Sequence, residues 1–383
     1  MSFKIKVLHA HSGNIFGGLE SQLLNITRYR NLCPQMETDF AICFEDRFSR
    51  ELRELGASVQ ILGKVKFRNF RSVLRARREL KKILDSNYYD VVIVHSAWAH
   101  ALFGKTVQKR DVLQVFCLHD AITGKHWLDR LARRIMPDLA ICDSHYVKTL
   151  LPSIFGNVRS EVFYYPLAPR ESSVNGARKL IREELKTASE AVVITQISRL
   201  EKWKGHRLHL EALGRLKDVQ GWVCWVVGGS QRPHEEEYLN QLKAQANQLG
   251  IGDRVIFLGQ RTDVRRILSA SDIHCQPNIG PEPFGVVFTE ALSEGVPVVT
   301  TSMGGAREVI DKTCGVLVPE GDVDAIANAL RQLIDNPDLR RSMGAAGPHR
   351  VKLLCDPERQ LNQLHNMLKS GLEEAGKGAP VSV

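Results

Sequence analysis

Short apolar, β-branched runs alternate with amphipathic stretches along the whole chain. In the first half IKVLHAHS (5–12), DFAICFE (39–45), SVQILG (58–63), YYDVVIVHS (88–96), DVLQVFCLHD (111–120), DLAIC (138–142) and SEVFYYPLAP (160–169) predict strands. Several are continuous rather than alternating, the pattern of a parallel strand covered on both faces. GGLESQLLNITRYR, FSRELRELG and FRSVLRARRELKKILDS place their apolar residues at helical spacing between them. A polar stretch, ESSVNGARK (171–179), interrupts the alternation, so the domain boundary is expected near 167–180. The same alternation then restarts with AVVITQISRL (191–200), WVCWVVGGS (222–230), RVIFLGQ (254–260), DIHCQPN (272–278), VPVVTT (296–301) and CGVLVPEG (314–321). Two βαβ-rich halves predict an α/β protein of two Rossmann-like domains facing across a cleft, over 1–170 and 171–355. A helical region ends the ordered chain over 356–375, and the tail 376–383 reads as disordered.

Composition changes this picture little. At 383 residues the chain has room for two cores, and 43% apolar with 25% charged residues is ordinary for a globular protein. There is no run of about eighteen apolar residues, and MSFKIKVLHAH enters a strand pattern without the apolar segment of a signal peptide. Eight cysteines stand singly, with no Cys-x-x-Cys pair, so buried free thiols in a reducing cytoplasm are expected. The net charge of +9 asks for an anionic partner. No zinc-finger spacing or basic-aromatic motif points to nucleic acid. The densest positive surface is one helix carrying Arg71, Arg75, Arg77, Arg78, Lys81 and Lys82, which reads either as a dock for an anionic membrane or as a solvated outer face.

The chemistry gathers in PNIGPEPFGVVFTEALSEGVPVVTTSMGGARE (277–308). Pro281 and Pro283 hold Glu282 in a loop, and a short apolar helix follows that includes Glu290 and stops at Gly295. Free amides at a helix start suit phosphate, and a carboxylate beside them suits hydroxyls. Glycines also follow the first strand, at Gly13, Gly17 and Gly18, but as G-x-x-x-G-G, so the dinucleotide fingerprint is absent. His95 and His119 end predicted strands, where the ligand crevice of an open α/β sheet lies. His9 and His11 share a face of the first strand, and no third ligand at suitable spacing supports a metal there.

Glu282 and Glu290 in the context EPFGVVFTEALSEGVPVV, with Gly304-Gly305 in register, resemble the retaining glycosyltransferases of the family-four type, which have the GT-B fold. SRLEKWKG resembles that family's Gly-Arg-Leu…Lys-Gly element, with Ser198 where glycine is usual, and the Gly-Gly-x-Glu turn after the first strand matches as well. The resemblance implies a nucleoside diphosphate sugar, on a UDP or GDP carrier, as donor and a glycan, lipid-linked or small-molecule acceptor, with no cofactor and no metal. It gives the donor diphosphate to Arg199, Lys204, Gly17, Gly18 and the segment Phe284, Gly285, Val286 and Val287. Glu290, Gly259 and Gln260 take the nucleoside, Glu282 and His119 act at the transferred sugar, and His11 and His95 face the acceptor. It also implies a terminal helix returning to the N-terminal domain, and a cytoplasmic enzyme that can sit peripherally on the membrane face. Tyr-Pro-Leu-Ala-Pro (165–169) departs from the Asn-Gly turn usual in the family. The residues alone leave open an epimerase, a sugar-nucleotide hydrolase or a binding protein without activity.

Overall fold

The computed structural model describes residues 4–13, 15–169, 176–230 and 232–377. The chain divides into two compact units, Met1–Pro166 with Cys355–Val383, and Leu167–Leu354. The first carries a seven-stranded sheet of β1 (Ile5–His11), β2 (Met36–Ile42), β3 (Ser58–Ile61), β4 (Val91–His95), β5 (Leu113–Leu118), β6 (Leu139–Cys142) and β7 (Ser160–Val162). Its order is β3-β2-β1-β4-β5-β6-β7, with parallel pairing throughout. β4 and β5, central and entirely buried, are the continuous apolar runs of the sequence. β7 is much shorter than the run 160–169 predicted, its register with β6 covering Ser160–Val162.

The second unit holds β8 (Val192–Ile197), β9 (Trp222–Val227), β10 (Val255–Gly259), β11 (Ile273–Gln276), β12 (Val298–Thr301) and β13 (Gly315–Val318). Here the order is β10-β9-β8-β11-β12-β13, again parallel. Each sheet reverses its order at one point, between β1 and β4 and between β8 and β11. Chains leaving neighbouring strands at such a point depart to opposite faces and open a crevice beyond the strands' C-terminal ends.

The last helix, Pro357–Ala375, returns to the first unit. Leu361, Leu364, Leu368 and Leu372 recur every three or four residues and join its core, and a Cβ on Gly371 would stand 2.9 Å from Leu113 Cδ2. Two residues of the tail expected to be disordered, Gly376 and Lys377, are ordered. Gly376 closes this helix at φ +60°, and Lys377 Nζ reaches Asp138 Oδ2 at 2.7 Å; 378–383 lie outside the described residues, as do 170–175 of the expected boundary. All eight cysteines are free and buried. Among the described residues no helix is long and apolar enough to cross a membrane.

The basic helix forms over Phe70–Ser86, with Asn69 as its cap. Two of its arginines bond to main-chain carbonyls, Arg75 at the surface and Arg77 half-buried. Arg75 Nη2 donates to the Lys64 carbonyl at 2.9 Å, and Arg77 Nε donates to the Leu102 carbonyl at 2.7 Å. Lys82 pairs with Glu79 at 2.9 Å, and Arg71, Arg78 and Lys81 are exposed.

Candidate active site

In the second unit the chain leaves β8 through Ser198 and Arg199, makes a 3-10 turn over Lys202–Lys204, and enters the helix His206–Gly214 through Gly205. Gly205 has φ +73°, and a Cβ there would lie 1.8 Å from the Pro277 carbonyl oxygen, so this loop rests on the loop after β11. Ile279 N donates to the Trp203 carbonyl at 2.9 Å across the same contact. Lys204 Nζ donates to Glu282 Oε2 at 2.8 Å and stands 3.9 Å from the Trp203 ring centroid. The same carboxylate oxygen accepts from Asn278 Nδ2 at 2.7 Å and Gln276 Nε2 at 3.3 Å. Desolvated charges hold together only when paired and hydrogen-bonded, and this pair is both.

The backbone of Glu282 is fixed as firmly. It forms an isolated parallel bridge with Gly304, Gly305 N donates to its carbonyl at 2.7 Å, and a Cβ on Gly304 would stand 2.3 Å from the same oxygen. Gly285, at φ +100°, then opens the helix Val286–Ser293, whose first amides have no carbonyl one turn back to bond. Glu290 lies within it, half-buried. Arg199 Nη1 pairs with Glu201 Oε1 at 2.9 Å, and Glu201 Oε2 accepts from Trp203 Nε1 at 2.8 Å. Gly259 and Gln260 lie beside the Gly228-Gly229 turn: Gly228 N donates to the Gly259 carbonyl at 2.9 Å, and a Cβ on Gly229 would stand 2.8 Å from Gln260 N.

In the first unit the Gly-Gly turn opens the helix Gly18–Tyr29, with Gly17 as its N-cap. Glu20 binds Gly17 N through Oε2 at 2.9 Å and His11 Nε2 through Oε1 at 2.7 Å. His9 Nδ1 meets His95 Nε2 at 2.9 Å, and His95 Nδ1 meets His119 Nε2 at 3.0 Å. Asp143 Oδ2 lies 3.8 Å from His119 Nδ1. Burial pushes the His9 pKa down to about 3, aided by His11, and pushes His95 well below the ordinary value, aided by the neighbouring rings. His11 and His95, expected to face an acceptor, are 4% and 1% exposed: His11 bonds to Glu20 on the helix after β1, and His95 to the rings of His9 and His119 on the neighbouring strands. Among the described residues, His95, Cys117 and His119 are the group able to share a metal, their ligand atoms within 4.8 Å of one another. Cys117 had been read only as a core thiol. The two histidines already bond to each other, and burial raises the Cys117 thiol pKa well above its ordinary value, which keeps it protonated.

Residues 177–350 match the family described as glycosyl transferases group 1, and residues 16–166 match Glycosyltransferase Family 4. The chain belongs to the group 1/family 4 type of glycosyltransferases. A phosphatidyl-myo-inositol mannosyltransferase of Mycobacterium leprae is 41% identical over 155 residues, which are 40% of this chain and 39% of that protein. A GDP-mannose-dependent monoacylated alpha-(1-6)-phosphatidylinositol monomannoside mannosyltransferase of Corynebacterium glutamicum is 30% identical over 54% of this chain and 53% of its own length. The chain thus spans about half the length of these curated relatives, or less. Among solved structures, Anabaena HepE in complex with UDP and glucose superposes with a TM-score of 0.84 at 23% identity, covering 96% of this chain and all of that one. That likeness identifies the GT-B fold.

For this family-four chain, the structure brings Lys204, Glu282 and the Gly285 helix start together in the second unit, with Arg199 on the same loop as Lys204. Gly17 and Gly18 share the first unit with His11, His95 and His119, although His119 presents no free imidazole edge along its bond to His95. The sequence singles out neither Gln276 nor Asn278, shows Glu20 only as part of the Gly-Gly-x-Glu turn, and gives Asp143 no place beside His119. Gln276 and Asn278 do carry a signal, being amides at a strand end six and four residues before Glu282. Glu20 stands three residues after Gly17, at capping-box spacing.

Proposed function

We propose that the protein transfers a hexose from a UDP- or GDP-sugar to a glycan or lipid-linked acceptor, with retention at the anomeric carbon and without a metal. The observation that carries this reading is the Lys204–Glu282 pair at 2.8 Å, at the point where the second sheet reverses its order. A donor diphosphate, with two negative charges, competes with Glu282 for the Lys204 ammonium, and Arg199 leaves Glu201 to grip a phosphate in the same way. Glu282, still oriented by Gln276 and Asn278, then accepts hydrogen bonds from sugar hydroxyls, and Glu290 accepts from the ribose. The bond from the anomeric carbon to the phosphate oxygen breaks, and Lys204, Arg199 and the amides of Phe284 to Val287 stabilise the departing charge. The acceptor hydroxyl attacks from the same face, and its proton passes to the leaving phosphate oxygen. His119 is assigned to the transferred sugar. The mannosyltransferase relatives make GDP-mannose the first donor to try, and their phosphatidylinositol acceptors favour a lipid-linked one. Arg71, Arg78, Lys81 and Lys82 would then face an anionic cytoplasmic membrane surface.

The test is release of nucleoside diphosphate from a panel of UDP-, GDP- and ADP-sugars, GDP-mannose among them, with acceptor extract and excess chelator present. Release with one donor, and a product of unchanged anomeric configuration by NMR, is the expected result. Tight donor binding with no release under any acceptor would overturn the transferase reading. Release that stops with chelator would overturn metal independence.

A further inference from the structure

Three neighbouring strands of the first unit end in histidines that lie one above another. His9 and His95 stack at 5.2 Å with planes 10° apart, and His95 and His119 at 5.3 Å and 22°. Their edges join in a single direction, Nδ1 of His9 to Nε2 of His95, and Nδ1 of His95 to Nε2 of His119. A neutral imidazole has one N–H and one lone pair. Two such bonds in series therefore allow two proton orders only, all three protons on Nδ1 or all three on Nε2. His9 and His95, wholly buried, are held neutral by desolvation, so the series cannot be broken by charging its middle.

The two orders differ at their ends. With the protons on Nε2, the lone pair of His119 Nδ1 faces the Asp143 carboxylate 3.8 Å away, and a His9 Nε2–H is buried with no acceptor among the described residues. Among the described residues His119 Nδ1 makes no hydrogen bond in either order, so its contact with the carboxylate is electrostatic; with the protons on Nδ1 an N–H rather than a lone pair faces that charge, and the atom left bare at His9 is an acceptor, the less costly omission. We infer that Asp143 selects the Nδ1–H tautomer in all three rings, and that His9 and His95 are positioning residues that hold His119 in one plane and one tautomer at the transferred sugar. This rests on the transferase reading for the sugar, but not for the tautomers. It also limits what His119 does. With Nε2 occupied by His95 and Nδ1–H turned to Asp143, the ring is not a general acid or base, and His119 acts through its main chain and its fixed place.

The tautomers are read in the 15N-labelled protein from two-bond proton–nitrogen correlations at neutral pH. The expected spectrum shows Nδ1–H at His9, His95 and His119, the reverse of the form that free neutral histidine favours in water. An Nε2–H signature at His95 or His119 in the unaltered protein would overturn the proton order. In Asp143→Asn, His119 should shift toward Nε2–H, and an unchanged Nδ1–H would remove Asp143 as the selecting group. His95→Phe should lower kcat by about thirtyfold with donor KM within about twofold, as expected for an interaction that acts on the transition state alone. His95→Asn keeps an amide donor toward His119 Nε2 and should recover kcat to within about fivefold of the unaltered protein. Equal losses in the two variants, or a loss in KM only, would overturn the positioning role. A protein that transfers no sugar at all would fail the transferase reading, while the spectra would still decide the array.

Discussion

At Gly205 the main chain runs at φ +73° so near the loop after β11 that a Cβ would press on the Pro277 carbonyl oxygen at 1.8 Å; at Gly221 it runs at φ +77° with nothing within 4 Å of a Cβ. The two glycines separate backbone strain from collision. Gly221→Ala should cost about 1–2 kcal/mol of unfolding free energy, the price of a left-handed non-glycine residue. Gly205→Ala should cost that and about 1–3 kcal/mol more, because the clashing partner is backbone and cannot rotate away. It should also weaken nucleoside diphosphate binding, since Lys204 precedes it, whereas Gly221→Ala should leave binding alone. Urea unfolding and calorimetric titration measure both, and equal costs would show that the loops do not press together. Lys204→Ala should weaken nucleoside diphosphate binding by about 10- to 100-fold, the loss of one charge-assisted hydrogen bond; unchanged affinity by titration would remove Lys204 from the donor site. At this scale the sequence was only partly readable. Lys204, Gly205 and Glu282 were found as a motif, but their mutual contact was not, because the residues that meet are separated by 78 positions and only the order of the sheet brings them together. The histidine array is the same case: His95 and His119 were visible at strand ends and His9 on a face of the first strand, and nothing local says that their edges join.

Among whole elements, the helix Phe70–Ser86 shows what periodicity does and does not reveal. Its apolar stripe of Val73, Ala76 and Leu80 is buried as spaced, yet the pattern treats its arginines alike and the structure does not. Arg77 reaches across to the carbonyls of Leu102 and Ala101 in the helix Ser96–Val107, and desolvation lowers its pKa. Arg77→Ala should therefore destabilise the first unit by about 1–3 kcal/mol, as loss of a hydrogen-bonded charge does. Arg78→Ala, on the exposed face, should change stability by less than about 0.5 kcal/mol. Thermal unfolding separates them, and similar shifts would mean that the Arg77 bonds contribute nothing. The membrane proposal is accordingly tested on Arg71, Arg78, Lys81 and Lys82, whose neutralisation leaves the helix anchored. Flotation with anionic vesicles should then fall, and equal flotation would count against docking. The parallel strands were legible because burial on both faces imposes an unbroken apolar run, and the terminal helix ends at Ala375 as read; the end of β7 was not legible, because its pairing with β6 stops while the sequence stays apolar.

Across the whole molecule, the buried histidines set how the fold answers to acid. Burial lowers the pKa to about 3 for His9, His209 and His274 and to about 4 for His100 and His206, with His95 also well below its ordinary value. His9, His95 and His100 belong to the first unit, His206, His209 and His274 to the second. In the unfolded chain each titrates near 6.5. Below that pH the unfolded state binds protons that the folded state refuses, so unfolding becomes easier as pH falls, and stability is fully present only above about 6.5. Each histidine contributes about 1.4 kcal/mol per pH unit over the window between the unfolded and folded values. With three on each side, both units should lose several kcal/mol, about 4 per pH unit, between pH 6 and pH 5. Such a loss is comparable with the whole stability of an ordinary domain, so the two units should unfold in acid over the same narrow range, although they share no sheet. Calorimetric scans at half-unit steps from pH 7.5 to 5 would show it as parallel falls in both transitions. Replacing His274, whose two ring nitrogens have no hydrogen-bond partner among the described residues, by Leu should flatten the slope of the second unit by about a third and leave the first unchanged. A second transition that keeps its full pH slope in that variant would show that His274 takes up its proton in the fold, and that burial at the end of β11 does not hold it neutral.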